Sequence, residues 1–288
     1  MRSDAEYRDM KKKYGFRHSK SLGQNFLKDK NIIAGIISGS NIGLEDLVIE
    51  IGPGAGVLTR PAAAAAKKVL AVEIDRRLIP ILTDTVKGYE NVEIINADIL
   101  KTDLNALIEK AGEVGTYENV RIIGNLPYYI TTPIIMKILE DSVCAKSITA
   151  MMQKEVADRI ESLPGNRTYG AISAAVRYYC TVERICTVPR EAFVPEPKVD
   201  SAVIRLDIRE EKPFSVLDEK AFFRCIRAAF GQRRKTLLNS LNGAFGTDKD
   251  SLRRILQNAD IAPHRRAETL DIDDFTRLTD EMIKAGEV

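Results

Sequence analysis

Leu47-Val48-Ile49-Glu50-Ile51-Gly52-Pro53-Gly54-Ala55-Gly56 is a β-rich apolar run that breaks into alternate glycines, and the helix-forming stretch Ala62 to Lys68 follows it. Backbone without side chains lets a ligand come close, so a strand, a glycine loop and a helix in this order predict a binding turn at a strand end. The glycines at 52, 54 and 56 do not fit the dinucleotide fingerprint, whose third glycine falls one residue later, which argues against a nicotinamide or flavin enzyme. A bare tight turn is the plain alternative. Pro61 lies where the helix should already be running, which leaves its first residue open.

Three more apolar runs follow. Val69-Leu70-Ala71-Val72-Glu73-Ile74-Asp75 ends in carboxylates about 20 residues past the glycines, the distance at which such sheets present an acid to ribose hydroxyls. Glu73 is the better candidate, since Asp75 could instead cap the next helix. Val92-Glu93-Ile94-Ile95-Asn96-Ala97-Asp98 also ends in an acid, and Val120-Arg121-Ile122-Ile123-Gly124 ends in an amide, Asn125. Taken alone, each acid reads as a solvated turn residue. Together, four runs separated by helical stretches predict an α/β fold, a parallel sheet with ligand groups along its carboxyl edge. Such an edge suits a nucleoside-containing cofactor beside Asn125.

The fourth run leads into Asn125-Leu126-Pro127-Tyr128. An exocyclic adenine amine is a poor nucleophile while its lone pair is delocalised into the ring. Acceptors on its two hydrogens pull it toward tetrahedral geometry, and Asn125 Oδ1 with the Leu126 carbonyl fit that need. Pro127 fixes its own φ and biases Leu126 toward an extended conformation, while Tyr128 offers a face for a base. The tetrapeptide therefore points to methylation of an exocyclic amino group. A strand-to-loop turn with a packed tyrosine is the alternative reading of these four residues.

The remaining composition excludes other classes. A chain of 288 residues with 44% hydrophobic residues supports a sizeable core, one large domain and a small one. No stretch has the length of a membrane span and no apolar segment follows the charged start as in a signal peptide, so a cytoplasmic protein is expected. Cys144, Cys180, Cys186 and Cys225 lack zinc spacing, and with only His18 and His264 no metal site is expected. Net charge is +2, yet residues 1 to 30 hold nine Lys/Arg against four Asp/Glu, and residues 224 to 266 hold ten against three. An acidic body with two basic segments suggests local phosphate contacts, although a basic run alone is usually a solvated face.

With these residues in place, the chain closely resembles the ribosomal RNA adenine dimethyltransferases of the KsgA type. The resemblance runs from about Ser21 to about Asn239, with segments in the family's order. They are Gln24-Asn25-Phe26-Leu27, the Glu50 to Gly56 run, Glu73, Asp98, Asn125-Leu126-Pro127-Tyr128, Gln153-Lys154-Glu155-Val156-Ala157, Phe193-Val194-Pro195-Glu196-Pro197-Lys198-Val199-Asp200-Ser201, and Arg233-Arg234-Lys235-Thr236-Leu237. It implies a Rossmann-like class I methyltransferase, a seven-stranded sheet with one antiparallel strand, and S-adenosyl-L-methionine as cofactor. Asn25 and Leu27 would close over that cofactor, Gly52 and Gly54 would approach it, Glu73 would hold its ribose, and Asp98 its adenine amine. Asn125 would touch both cofactor and target. Phe193 would give the target base a second aromatic surface opposite Tyr128, against the plainer reading of a core anchor between prolines. Arg233, Arg234 and Lys235 would contact RNA. The implied reaction is dimethylation of N6 at two adjacent adenosines in the 3′-terminal hairpin loop of small-subunit (16S) rRNA, by a monomer acting on the immature small ribosomal subunit.

Residues 147 to 153 read as a fifth strand, 181 to 188 and 202 to 208 as a strand pair after a helix from Tyr169 to Tyr179, and Asp29 as a helix N-cap. Around Glu210 to Pro213 the pattern turns helical, with Phe222, Phe223, Ile226 and Phe230 at helical spacing and best read as core. This sets a methyltransferase domain with a basic arm at 1–212 and a helical, RNA-contacting domain at 213–288. Three alternatives stand beside this reading: a large-subunit rRNA methyltransferase of the macrolide-resistance type, a DNA adenine methyltransferase, and a mainly non-catalytic factor in ribosome assembly or transcription.

Overall fold

The computed structural model describes residues 13–15 and 24–288. The chain forms two compact units, one from the residues through Ala157 with Val182–Ile208, the other from Asp158–Thr181 with Arg209–Val288. Where the sequence suggested a division at 212/213, residues 158–181 and 209–212 group with the helical tail. The reason lies in their aromatics. Tyr178 packs on Phe222 with ring centroids 4.8 Å apart, and Tyr169 meets Phe230 edge-on at 5.8 Å.

In the first unit, strands β2 (Leu47–Ile51), β3 (Lys68–Glu73), β4 (Val92–Asn96), β5 (Val120–Asn125) and β6 (Ser147–Gln153) are joined as parallel neighbours. β9 (Ser201–Ile208) runs antiparallel to β6, and β7 (Cys180–Val188) completes the seven-stranded sheet in the order β4-β3-β2-β5-β6-β9-β7. All five residues of β2 are buried, as a strand covered on both faces requires. Val48, Val69, Ile123, Met151 and Val203 share one core cluster with Ile36 from the helix Lys30–Gly39. A small second sheet pairs β1 (Phe26–Leu27) with β8 (Phe193–Val194), Leu27 opposite Phe193.

Local signals place the helices. Asp29 caps the helix Lys30–Gly39, its side chain accepting from the amides of Asn31 at 2.8 Å and Ile32 at 3.2 Å. The helix after the glycine loop runs Thr59–Ala65, so it starts earlier and ends sooner than its alanine run suggested. Pro61 is its third residue, in the first turn, where the missing amide has no intrahelical partner to lose.

The second unit is helical, with Glu219–Phe230, Leu237–Phe245, Lys249–Asn258 and Ile272–Lys284 as its principal tail helices. Asp218 caps the first through the Ala221 amide at 3.0 Å. Phe222, Phe223 and Ile226 are buried, which settles those residues as core.

Candidate active site

Strand order reverses between β2 and β5, and a crevice opens where their carboxyl ends diverge. The glycine loop leaves β2 there. Gly52 and Gly54 take φ of 68° and 58°, and a Cβ on Gly54 would sit 3.0 Å from the Phe26 ring. A side chain there meets both backbone strain and an aromatic wall.

Glu73 ends β3 at the edge of this cleft, only 4% exposed. Its Oε2 accepts from the Gly54 amide at 3.0 Å and its Oε1 from the Asp75 amide at 2.8 Å, so loop and strand hold the carboxylate in one orientation. Burial pushes its pKa up, while the backbone donors pull it back. Each oxygen keeps a lone pair for a ligand hydroxyl. Asp75 has other work: it pairs with Arg77 at 2.6 Å and accepts from Gln24 at 2.8 Å, and the Arg77 hydrogen bond holds its carboxyl below the usual range.

Asp98 follows β4 and also lines the cleft, with Oδ1 accepting from the Leu100 amide at 3.0 Å. The Ala97 amide donates to the Glu73 carbonyl at 3.1 Å, which carries Asp98 to the same edge as Glu73.

Asn125 ends β5, and its Nδ2 donates to the Asn25 carbonyl oxygen at 2.9 Å. A carbonyl only accepts, so this contact fixes the amide with Oδ1 as its free acceptor face. The next residues are held as well: the Leu126 amide donates to the Met151 carbonyl at 3.1 Å. The Pro127 carbonyl accepts from the Ile130 amide and the Thr131 hydroxyl, both at 3.1 Å. Tyr128 is half-buried in the cleft wall, its hydroxyl 2.7 Å from Ser201 Oγ. Asn25 and Leu27 line the cleft from the amino-terminal side.

The structure thus brings together Asn25, Leu27, Gly52, Gly54, Glu73, Asp98 and Asn125 to Tyr128. Phe193 is not among them. Its ring is 2% exposed within the core cluster that holds Leu27 and Ile36, the surroundings of a core anchor. Arg233, Arg234 and Lys235 lie in the second unit, all exposed, in the turn between Glu219–Phe230 and Leu237–Phe245. Arg233 donates to the Arg167 carbonyl at 2.5 Å. Much of the basic arm, with His18, lies outside the described residues.

One lining residue went unread in the sequence. Glu50 is 1% exposed, reaches the cleft from within β2, and its Oε2 has no hydrogen-bond partner among the described residues. Burial, with Glu73 adding like charge, pushes its carboxyl up to about 8. An acid inside an otherwise apolar strand was the available signal. Among the described residues no His/Cys/Asp/Glu cluster could hold a metal, and no helix is long and apolar enough to cross a membrane.

A glycine loop after the first parallel strand, acids after the next two and an Asn-Leu-Pro-Tyr turn after the fourth define a class I, Rossmann-like S-adenosylmethionine-dependent methyltransferase fold. The model of the ribosomal RNA adenine dimethylase family matches residues 15–281, and the chain belongs to that family. It is 50% identical over 272 residues to ribosomal RNA small subunit methyltransferase A of Clostridioides difficile, covering 94% of this chain and 93% of that one. Among solved structures, a dimethyladenosine transferase from Plasmodium falciparum matches with a TM-score of 0.73 at 28% identity, covering 91% of this chain and 98% of that one. The 23S rRNA methyltransferase ErmE matches with a TM-score of 0.63 at 26% identity, covering 90% and 99%.

Proposed function

We infer that this chain dimethylates N6 of two adjacent adenosines in the 3′-terminal hairpin loop of small-subunit rRNA, with S-adenosyl-L-methionine as methyl donor. Its substrate is the immature small subunit in the cytoplasm, and it works as a monomer. The observation that carries the reading is the Asn125 amide, tied by its nitrogen to Asn25 and presenting its oxygen at the cleft.

The cleft suits the cofactor. Glu73 offers two fixed acceptors for a ribose diol, Asp98 an acceptor for an adenine amine, and the positive-φ glycine loop an approach free of side chains. The orphaned Glu50 Oε2 matches an ammonium group. S-adenosylmethionine supplies, when bound, a methyl group on an electron-poor sulfur.

The protein's part is to position the target amine. Asn125 Oδ1 and the Leu126 carbonyl accept its two hydrogens and draw its lone pair out of conjugation; the Pro127 carbonyl, already engaged twice, leaves that task to Leu126. Tyr128 stacks on the base, its ring held by Ser201. The acceptors suit the positive charge that develops on nitrogen, and the proton leaves to water afterwards. The basic turn Arg233 to Lys235 serves the RNA through Arg234 and Lys235, with Arg233 bracing it on the Arg167 carbonyl, since the RNA must be held while a nucleotide is extracted from its stack.

The small-subunit relative shares 50% of its residues with this chain, the large-subunit enzyme ErmE 26%, which favours the small-subunit target over the macrolide-resistance type. Mapping methylated adenosines in rRNA from cells with and without the protein tests the assignment. The dimethylated pair should vanish from the small subunit in its absence; a loss in the large subunit alone would reject it.

A further inference from the structure

Of the large apolar side chains that stay exposed among the described residues, two line the active-site cleft, Ile74 and Tyr129. Ile74 follows Glu73, on the side proposed for the cofactor ribose. Tyr129 is the aromatic one. Its ring is 57% exposed, next in the chain to the half-buried Tyr128.

The backbone that carries it is held in place. Tyr128 and Tyr129 are the central residues of a turn closed by the Ile130 amide on the Pro127 carbonyl at 3.1 Å, and the Thr131 hydroxyl donates to the same oxygen at 3.1 Å. The helix Thr131–Glu140 follows at once. On this shared backbone the two tyrosines differ. Tyr128 brings its hydroxyl to Ser201 Oγ at 2.7 Å, whereas the ring and hydroxyl of Tyr129 meet no aromatic or hydrogen-bond partner among the described residues.

Position along the sheet separates this turn from the cofactor groups. Asp98, Glu73 and the glycine loop follow β4, β3 and β2, all on one side of β5 in the strand order. Ser201, which anchors Tyr128, opens β9 on the other side. The Tyr128–Tyr129 turn therefore belongs to the side proposed for the target base. Packing does not account for the second ring, since a tyrosine at an exposed position adds little to stability.

Base extraction supplies an occupant for it. Drawing one base out of a stack leaves its neighbour with one face uncovered, and a side chain that covers that face lowers the cost of extraction. An aromatic ring suits the task, because every base presents a π-face. In the proposed substrate two adenosines are adjacent, so the uncovered neighbour of one target is the other target.

We propose that Tyr129 stacks on the base adjacent to the one held against Tyr128, so that the turn takes two consecutive bases, one on each tyrosine. The proposal rests on the reading of the chain as an rRNA adenine methyltransferase and adds to it a positioning residue for the RNA.

The test uses the full-length chain and small-subunit rRNA that lacks the methylations, in two forms: with the adenosine pair intact, and with one of the pair replaced by an abasic nucleotide. RNA binding, steady-state transfer and S-adenosylmethionine affinity are measured for the unaltered chain, Tyr129→Ala and Tyr129→Phe. On the intact pair, Tyr129→Ala should weaken RNA binding and raise KM for RNA by about 5- to 100-fold, the worth of one base stack, with kcat changed far less. Tyr129→Phe should restore both. On the abasic RNA, Tyr129→Ala should lose little more, because the stack is already gone. Cofactor affinity and melting temperature should match those of the unaltered chain. Unchanged RNA binding in Tyr129→Ala, an equal further loss on the abasic RNA, or a phenylalanine variant as weak as the alanine one would overturn the proposal. A loss confined to cofactor affinity would overturn it too, by placing the ring on the cofactor. Absence of transfer by the unaltered chain would count against the methyltransferase reading instead, and the comparison of the two RNAs in binding would still decide whether Tyr129 stacks.

Discussion

Asn125 and Asn25, 100 residues apart in the chain, are joined by one hydrogen bond of 2.9 Å from the Asn125 side chain to the Asn25 backbone. The bond gives a polar residue at the end of β5 a defined face. It also ties the segment before β1 to the strand that carries the proposed chemistry. Glu73 is held in a similar way, by backbone on both of its oxygens, and that shared construction shapes what substitutions should do.

At Glu73, glutamine is not a mild replacement. Its amide nitrogen would confront either the Gly54 or the Asp75 amide, so one backbone donor would face another. Glu73→Gln and Glu73→Ala should both weaken S-adenosylmethionine binding by on the order of 2 kcal/mol in calorimetric titration, the size of charge-assisted hydrogen bonds to a ribose diol. Unchanged affinity in the alanine variant would remove Glu73 from the cofactor site.

Glu50 should make stability depend on pH. Its carboxyl is raised from 4.5 to about 8, so between those values the folded chain holds a proton that the unfolded chain has released. Stability should therefore fall as pH rises through that window, by no more than about 1.4 kcal/mol per pH unit from this one group, and level off above it. Glu50→Gln should remove this slope. Melting curves of wild type and variant that run parallel from pH 5 to 8 would show that Glu50 is ionised throughout.

Two aromatics near the site should separate cleanly. Phe193→Ala should cost about 3 to 5 kcal/mol of stability, as a buried aromatic does, with cofactor and RNA binding intact in whatever remains folded. Tyr128→Ala should leave stability nearly unchanged and cost about 1 to 3 kcal/mol in RNA substrate engagement, the worth of one base stack. Tyr128→Phe should keep most of that, losing about 1 kcal/mol with the Ser201 hydrogen bond. Denaturant titration and steady-state transfer assays distinguish the two positions, and a stable, inactive Phe193→Ala would reverse the core assignment.

The basic turn should divide by residue. Arg233 is engaged with the Arg167 carbonyl inside its own unit, so Arg233→Ala should lower the melting temperature. Arg234→Ala with Lys235→Ala should instead flatten the salt dependence of RNA binding by about 0.7 to 0.9 per lost phosphate contact. A salt slope that responds only to Arg233 would contradict this division.

Much of this architecture was legible because its signals are local. The β2 run, the glycine loop and the acids closing the next two strands announce themselves by periodicity and by where it stops, and Asp29 does so by capping chemistry. What the sequence concealed depends on pairing across distance. The burial of Phe193 beside Leu27, its partner across a two-residue ladder, joins segments far apart in the chain, and no pattern within the Pro-rich segment records that pairing. The grouping of residues 158–181 with the tail rests on Tyr169 and Tyr178 meeting phenylalanines more than 40 residues away. Glu50 was hidden differently. It belongs to a motif dominated by glycines, and its burial beside Glu73 becomes visible only when two parallel strands are laid side by side.

The central claim is that Asn125 activates the target amine through Oδ1 rather than merely shaping the cofactor pocket. Asn125→Ala tests it, with single-turnover methyl transfer to small-subunit rRNA and S-adenosylmethionine affinity measured on the same preparation. Transfer should fall by about 100-fold or more, the scale of losing one preorganised polar contact to a developing charge. Cofactor affinity should fall only about fivefold, the worth of the bond to Asn25. Transfer close to wild type, or losses of equal size in transfer and affinity, would contradict the account.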